Sequence, residues 1–333
     1  MVMQTLNVND MNIAADEIVG LSIILPAYND AKNVDLILPS LYSFLASRED
    51  HCEVILVDDG SKDNLYEIFE KNSQLTPENV TLNLVQFSRN FGKEAALSAG
   101  LEETKGQLVA MMDSDGQHPI AVLAEMLNVI EHSPIDMVAA VQETRDHESI
   151  FLKLYKNIFY RFMQDSQRYQ LEPHAGDFRV LKRKVVDALL NLPERQRFMK
   201  GLYSWVGFKA VYIPFQAEQR IEGKSSFNFS HLFELALIAI TSFSVKPLRW
   251  ISRMGFLVSI LAILYGLFII ADTLFFGRDL EGWPTLAVGI MFSAGLQLIC
   301  LGVIGEYIGR IYDEVKQRPL FIVDKKWNSK KQD

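Results

Sequence analysis

Short apolar runs alternate with amphipathic segments through the first half of the chain. Five runs have the length and continuous hydrophobicity of buried strands, at residues 21–25, 53–57, 80–87, 107–112 and 136–141. The segments between them predict helices at residues 33–46, 63–72, 92–103 and 119–131. Continuous apolar strands separated by helices predict an α/β fold, with a mainly parallel, Rossmann-like sheet covered by helices on both faces.

The C-terminal third contains two much longer apolar runs. Residues 254–276 include one charged residue, Asp272, and residues 283–305 include none. Because a membrane span needs about 20 mostly apolar residues, both runs predict transmembrane helices. The alternative is a pair of buried core helices in a soluble protein. Basic residues flank the runs on their outer sides, which predicts a cytoplasmic N-terminal domain and cytoplasmic chain ends; they are Arg249, Arg253, Arg310, Lys316, Arg318, Lys325 and Lys326.

These patterns predict five segments. They are a flexible leader at 1–19, a cytosolic domain at 20–230, a juxtamembrane interfacial helix at 231–248, two transmembrane helices within 249–309, and a cytoplasmic tail at 310–333. Within the domain, one face of a helix at about 150–165 is apolar, which predicts that it lies in the lipid headgroup layer or, alternatively, packs into the domain. The protein is therefore expected to be a multi-pass protein of the inner (plasma) membrane. Glycines in both spans favour self-association as a homo-oligomer.

Composition removes several classes of function. The net charge of −8 argues against binding nucleic acid, whose phosphates require a basic surface. The two cysteines, Cys52 and Cys300, are far apart, which excludes a disulfide framework and a cysteine zinc site. No glycine pattern of a dinucleotide-binding fold or of a P-loop is present.

Polar residues follow four of the predicted strands where each strand ends. In parallel sheets, ligands bind at the carboxyl ends of the strands. Turn chemistry explains any single polar strand end, but it explains poorly why Asp58, Asp59, Asp113 and Asp115 share one edge. Clustered carboxylates repel each other and require a cation. Asp113 and Asp115 are two residues apart and point the same way, so they predict an Mg²⁺ or Mn²⁺ site that bridges the protein and a diphosphate.

The strand ends also carry recognisable motifs. "PAYND", "VDDGSKD", "RNFGKEAALSAG" and "DSDGQHP" resemble, in this order, the inverting GT-A glycosyltransferases. "GDFRVLKRKVVDAL", "RFMKGLYSWVGF", "RIEGKSSF" and "LGVIGEYIGRIYDEVKQRP" are similar to the bacterial polyprenyl-phosphate glycosyltransferases, relatives of dolichyl-phosphate mannose synthase with two C-terminal spans. The resemblance covers residues 20–320. This chain departs from the family at Gly116 (often Leu), at His118 (often Asp or Asn) and at residues 224–227 (often Glu-Ser-Lys-Tyr).

The resemblance implies a role for individual residues. The expected nucleotide-sugar site consists of Pro26, Tyr28, Asp30, Asp58, Asp59, Lys93 and Asp113. The expected metal ligands for Mg²⁺ or Mn²⁺ are Asp113, Asp115 and Gln117, and His118 is either a further ligand or an exposed turn residue. The expected lipid-phosphate site consists of Lys153, Lys156, Arg161, Arg197, Arg220 and Ser225.

Four residues are the expected catalytic set: Asp113, Asp115, Asp177 and Arg220. Arg220 resembles an arginine that clamps phosphates, although a surface ion pair is the alternative. Asp177 is the candidate base or positioning carboxylate for the acceptor. The competing interpretation is that Asp177 holds Arg179 or Arg197 in a structural ion pair.

The family resemblance implies an integral-membrane enzyme that moves a hexose, glucose in the first instance, from a UDP-sugar to undecaprenyl phosphate. The alternatives are a GDP-mannose-dependent polyprenyl-phosphate mannosyltransferase, a processive polysaccharide synthase, and a non-catalytic membrane scaffold or flippase subunit. The synthase is disfavoured because the chain has only two predicted spans and lacks a Gln-x-x-Arg-Trp motif. The intact Asp113 and Asp115 pair argues against the scaffold.

Overall fold

A computed structural model of the chain describes residues 19–142, 175–195, 197–216, 246–276 and 282–330. These residues fall into two compact units. The first contains everything described up to residue 216 together with residues 319–330, and the second contains residues 246–276 and 282–318.

The first unit is built on one sheet. Its strands, among the described residues, are β1 (Val19–Ala27), β2 (His51–Asp58), β3 (Val80–Phe87), β4 (Leu108–Met111), β5 (Met137–Gln142), β6 (Ala175–Lys182), β7 (Ala210–Phe215) and β8 (Val323–Asn328). Their order across the sheet is β7-β5-β6-β4-β1-β2-β3-β8. β1 to β4 are mutually parallel, and β5 and β7 form a further parallel pair. β6 lies antiparallel between β4 and β5, and β8 lies antiparallel to β3 at the edge.

Six helices accompany the described strands. They are α1 (Ala31–Leu45), α2 (Leu65–Ser73), α3 (Lys93–Glu103), α4 (Ile120–His132), α5 (Arg183–Leu190) and α6 (Met199–Trp205). The predicted fold class, an α/β fold with a mainly parallel sheet, is confirmed. The five predicted strands and four predicted helices match β1 to β5 and α1 to α4 to within two residues at each end. β6, β7 and β8 were not predicted as strands.

The core lies on both faces of the central strands. Ile23 and Ile24 are neighbours in β1 and are both 0% exposed, as are Val54 and Ile55 in β2. Because successive strand residues point to opposite faces, this pattern requires cover on both sides of the sheet. Burying each such side chain stabilises the fold by about 1.5–3 kcal/mol. The central strands thus form a rigid base for the loops at their carboxyl ends.

The second unit contains two long helices, α7 (Lys246–Phe276) and α8 (Trp283–Lys316). By length and composition, each contains a segment able to cross a membrane, Pro247–Asp272 in α7 and Val288–Lys316 in α8. The most apolar window of each helix is 0% buried within the chain, whereas a core helix of a soluble protein is mostly buried. The interfacial helices predicted at about 150–165 and 231–248, and the leader at 1–19, lie outside the described residues, except for Val19 and the start of α7.

Candidate active site

The parallel strands bring four loops to one edge of the sheet. Ala27 at the end of β1 pairs with Asp58 at the end of β2, and Asp58 pairs in turn with Gln86 near the end of β3. Ile24 of β1 pairs with Met111, the last residue of β4. The residues that follow these strands therefore lie side by side, as expected for the carboxyl edge of a parallel sheet.

The two aspartates after β2 are buried and bonded within the protein. Asp58 is 1% exposed, and its carboxylate accepts hydrogen bonds from the Ser61 backbone N–H and from Gln86 Nε2, both at 2.8 Å. Asp59 is 3% exposed and accepts from the backbone N–H groups of Phe91 (2.6 Å) and Gly92 (2.9 Å). Burial raises the pKa of Asp59 above its ordinary value. Both carboxylates thus fix the loops around the edge.

The end of β1 is tied to the Asp113–Asp115 turn. Asp30 accepts a hydrogen bond from Ser114 Oγ at 3.0 Å and one from Asn33 Nδ2 at 3.2 Å. Pro26 is buried within β1, whereas the Tyr28 ring is 44% exposed beside the edge. Of this group, Tyr28 is therefore the exposed residue.

Lys93 joins two carboxylates from different strands. It is the first residue of α3 and follows Gly92, whose φ of 97° lies in a region that favours glycine. Its Nζ lies 2.6 Å from Asp113 Oδ1 and 3.0 Å from Asp177 Oδ2. Burial alone would lower the pKa of Lys93, but the charges of Asp177 and Asp113 outweigh burial and raise the pKa above its ordinary value. The ammonium group is therefore charged at neutral pH.

Asp177 reaches this site because β6 is antiparallel to β4. Met111 of β4 pairs with Arg179 of β6, so continuing the register places Asp177 beside Asp113. Burial acts to raise the pKa of Asp177, but the charge of Lys93 outweighs it and lowers the pKa, so the carboxyl group is ionised. Its second oxygen, Oδ1, is buried and has no hydrogen-bond partner among the described residues.

The two arginines considered as partners of Asp177 are occupied elsewhere. Arg179 donates from Nε to the Gly176 carbonyl at 2.9 Å, and its guanidinium lies 4.4 Å from the centre of the Tyr203 ring. Arg197 donates to Ser98 Oγ at 3.4 Å and to the Leu192 carbonyl at 3.1 Å. Within the described part of the chain, the ion-pair partner of Asp177 is Lys93.

His118 is packed into the site. Its Nδ1 accepts a hydrogen bond from the Asp113 backbone N–H at 2.9 Å, so Nδ1 carries no proton. The ring stacks on Phe178 of β6, with centroids 4.3 Å apart and planes 9° apart, and its edge meets Phe215 at 5.9 Å. Burial lowers the pKa of His118. His118 is thus a neutral imidazole that connects the Asp113 turn to β6. It is not an exposed turn residue, and its role as a further metal ligand stays a prediction.

The Asp113–Asp115 turn provides the oxygen ligands that a hard divalent cation prefers. Gly116 has a φ of 76°, which gives the tight turn after Asp115, and the Gln117 N–H donates to Asp115 Oδ1 at 3.1 Å. Over the described ranges, no group of three or more His, Cys, Asp or Glu side chains is arranged as a metal cage. Mg²⁺ usually takes one or two carboxylates and completes its shell with substrate phosphates and water. Two aspartates on one turn fit that requirement.

Two charged side chains that lie near the site, Glu94 and Lys200, were not identified from the sequence. Glu94 Oε2 accepts a hydrogen bond from the Met199 N–H at the start of α6, at 3.2 Å, and burial raises the pKa of Glu94 to about 8. The charge of Lys200, the next residue of α6, opposes the effect of burial on the pKa of Glu94 without cancelling it. The same charge helps to lower the pKa of Asp177. A glutamate in the first turn of a helix is common for reasons of helix stability alone, so nothing in the local sequence marks Glu94.

Five of the predicted site residues lie outside the described residues: Lys153, Lys156, Arg161, Arg220 and Ser225. Their roles stay predictions. Of the residues predicted to bind the lipid phosphate, the structure describes Arg197 alone.

Comparison with known proteins identifies the family. The pattern of "Glycosyl transferase family 2" matches residues 22–190, which is more than half of the chain. This chain belongs to glycosyltransferase family 2. The matched range of the family 2 domain runs from β1 to the end of α5 and contains Lys93, Asp113, Asp115 and Asp177. The family prediction is confirmed.

Relatives in bacteria extend the similarity of this family 2 chain beyond the matched domain. It is 38% identical over 313 residues to an uncharacterized glycosyltransferase of Synechocystis, covering 93% of this chain and 96% of that protein. It is 38% identical over 305 residues to a prophage-derived bactoprenol glucosyl transferase of Shigella flexneri (92% and 97% covered). It is 36% identical over 303 residues to a prophage bactoprenol glucosyl transferase homolog of Escherichia coli (91% and 98% covered).

Proposed function

We propose that this family 2 glycosyltransferase moves a glucosyl residue from a UDP-sugar to the phosphate of a polyprenyl carrier such as undecaprenyl phosphate. The observation that carries the proposal is the contact of Lys93 with Asp113 and Asp177, because it joins the turn suited to a cation with a buried, ionised carboxylate at the carboxyl edge of the sheet. The names of the bactoprenol glucosyl transferases support the choice of glucose and of a lipid acceptor. Their alignments cover more than nine-tenths of this chain, so they extend into the two long helices.

The donor would bind across the loops after β1 to β4. The Tyr28 ring provides a stacking surface for the base, and Asp30, Asp58 and Asp59 shape the pocket around it. Asp113 and Asp115 would hold Mg²⁺ or Mn²⁺, with Gln117 as a further oxygen ligand. When bound, the cation supplies Lewis-acid neutralisation of the charge that develops on the leaving diphosphate.

The acceptor is a phosphate monoester, and it is largely dianionic at pH 7 because its second pKa is about 6. Its oxygen attacks the anomeric carbon, the bond from that carbon to the diphosphate breaks, and the configuration inverts. An acceptor that is already anionic needs less help from a base than a hydroxyl group does. Asp177, ionised beside Lys93, would accept a hydrogen bond from a monoanionic acceptor and orient the attacking oxygen. Its lowered pKa suits this positioning role better than full proton transfer.

The membrane arrangement follows from chain connectivity. Among the described residues, those up to 216 and those from 319 to 330 belong to the unit that holds the sheet, and the two span-length helices lie between them along the chain. Two consecutive spans return the chain to its starting side. The basic residues outside the spans support a cytoplasmic location for that side. Self-association through the glycine-bearing spans stays a prediction.

The function is tested with the purified full-length protein in lipid nanodiscs. UDP-glucose, UDP-galactose and GDP-mannose, each labelled in the sugar, are offered with undecaprenyl phosphate, before and after treatment with EDTA. We expect one labelled lipid from UDP-glucose, lost with EDTA and restored by Mn²⁺ or Mg²⁺. Labelled lipid from GDP-mannose instead would establish the mannosyltransferase alternative, and no labelled lipid from any donor would refute the proposal.

A matched pair of variants tests whether formation of the labelled lipid depends on the candidate active site. Asp177→Asn removes the charge of the proposed positioning carboxylate, whereas Asp136→Asn removes a carboxylate that pairs with Lys184 at 2.6 Å on another part of the domain. We expect the first variant to lose most of its turnover and the second to retain it.

A further inference from the structure

The loop that carries Lys93 into the site is held from two sides. It comprises residues 88–92, between β3 and α3. On one side, the Asp59 carboxylate accepts hydrogen bonds from the Phe91 and Gly92 N–H groups. On the other side, the loop meets a segment from the far C-terminal end of the chain.

That C-terminal segment contacts the start of the loop. The Phe321 ring stacks on Phe87, the last residue of β3, with centroids 4.9 Å apart and planes 12° apart. Phe87 in turn meets the Phe91 ring edge-on at 5.8 Å. The Ser88 N–H donates to the Ile322 carbonyl at 3.0 Å. Three aromatic rings and one backbone hydrogen bond thus connect residues 321 and 322 to the loop.

The rest of the segment is anchored independently of the loop. β8 runs antiparallel to β3, and Ser329 and Leu82 exchange hydrogen bonds at its far end, at 2.9 and 3.0 Å. The Trp327 ring packs against Tyr66 of α2, with centroids 4.7 Å apart. Phe321 is therefore presented to the loop by a strand that is fixed elsewhere.

We propose that Phe321 is a positioning residue for glycosyl transfer, which acts through Phe87 and Phe91 to hold Lys93 between Asp113 and Asp177. Phe321 lies in the short link, residues 317–322, that connects the end of α8 to β8. The proposal rests on the proposed function for its consequence in catalysis. Its structural part, the restraint of residues 88–92 by Phe321, does not depend on the identity of the sugar or of the acceptor.

The test compares Phe321→Ala with Trp327→Ala. Both substitutions remove an aromatic ring from the same C-terminal segment, but the Trp327 ring contacts α2 and not the loop. We expect similar decreases in thermal stability. We expect kcat to fall about tenfold or more in Phe321→Ala alone, because small misplacements of a catalytic group cost up to about 100-fold in rate. KM for the lipid acceptor should stay unchanged, and Phe321→Tyr, which keeps the ring, should restore kcat.

A double-mutant cycle separates positioning from general destabilisation. If Phe321 acts through Lys93, adding Phe321→Ala to Lys93→Met should lower kcat little further. Equal effects in the presence and absence of Lys93, or equal losses of kcat in Phe321→Ala and Trp327→Ala, would overturn the proposal.

Hydrogen exchange tests the same restraint without turnover. Amides of residues 88–92 should exchange faster in Phe321→Ala than in the wild type or in Trp327→Ala. Unchanged exchange in that loop would refute the proposal even if the enzyme is active. If the wild type forms no lipid-linked sugar but the loop loosens as expected, the proposed function fails while the restraint by Phe321 stands.

Discussion

Substitutions of His118 test how the structure of the Asp113–Asp115 turn determines its affinity for a divalent cation. Its imidazole makes two separable interactions, the hydrogen bond that Nδ1 accepts from the Asp113 N–H and the stack on Phe178. His118→Asn keeps an acceptor near the position of Nδ1 and removes the ring. His118→Phe keeps a ring that can stack and removes the acceptor.

The two variants have different expected costs. An aromatic pair in this geometry is worth about 0.5–1.5 kcal/mol beyond the area it buries. Leaving a partly buried backbone N–H without an acceptor costs about 1–3 kcal/mol. Because that N–H belongs to Asp113, a proposed metal ligand, losing its acceptor destabilises the Asp113–Asp115 turn directly. If the whole cost applies to the cation-bound state, His118→Phe weakens the apparent Mn²⁺ affinity by about 5- to 150-fold.

The assay is Mn²⁺ activation of lipid-linked sugar formation, together with direct Mn²⁺ binding followed by electron paramagnetic resonance in the presence of UDP. Thermal unfolding of each variant reports the stability cost separately. We expect His118→Phe to bind Mn²⁺ weakly and His118→Asn to bind within a few-fold of the wild type. The reasoning is refuted if His118→Phe binds Mn²⁺ as the wild type does, or if His118→Asn is the weaker of the two.

Three further predictions concern side chains around the same edge. Lys93→Met should lower kcat by about 100-fold or more by removing the charge between two catalytic carboxylates, whereas Lys71→Met, which removes a surface ion pair with Asp35, should leave kcat unchanged in the same assay. The pKa of Glu94 is raised to about 8 in the folded state, so the folded protein holds a proton that the unfolded chain releases, and stability falls as the pH rises from about 4.5 to 8. The melting temperature of Glu94→Gln should lack this fall with pH, and an unchanged pH dependence in that variant would contradict the assignment. Asp59→Asn should destabilise the domain by about 1–3 kcal/mol in thermal unfolding because it weakens two bonds to the loop before α3, and a cost equal to that of Asp35→Asn would count against that role.

The sequence was informative where structure is local. Continuous apolar runs at β1 to β5 and the helices between them follow from periodicity alone, and the position of Asp113 and Asp115 follows from their place after a buried strand. Parallel strands necessarily place their carboxyl ends together, so the edge that collects these residues was predictable as well.

The remaining features depend on contacts between distant residues. Asp177 reaches Asp113 because β6 enters the sheet antiparallel between β4 and β5, and no local pattern specifies that insertion. β8 joins the sheet some 240 residues after its partner β3, and its polar sequence, "VDKKWN", suits an exposed edge as well as a tail. The stack of His118 on Phe178 depends on the same antiparallel pairing.

The proposed mechanism depends on a divalent cation held by the Asp113–Asp115 turn against the diphosphate of the donor. The most direct measurement is the anomalous difference density of a crystal grown with UDP and Mn²⁺. We expect a single strong peak beside Asp115, in contact with phosphate oxygens of UDP. Ordered UDP with no peak at that turn, or a peak away from both aspartates, would contradict it.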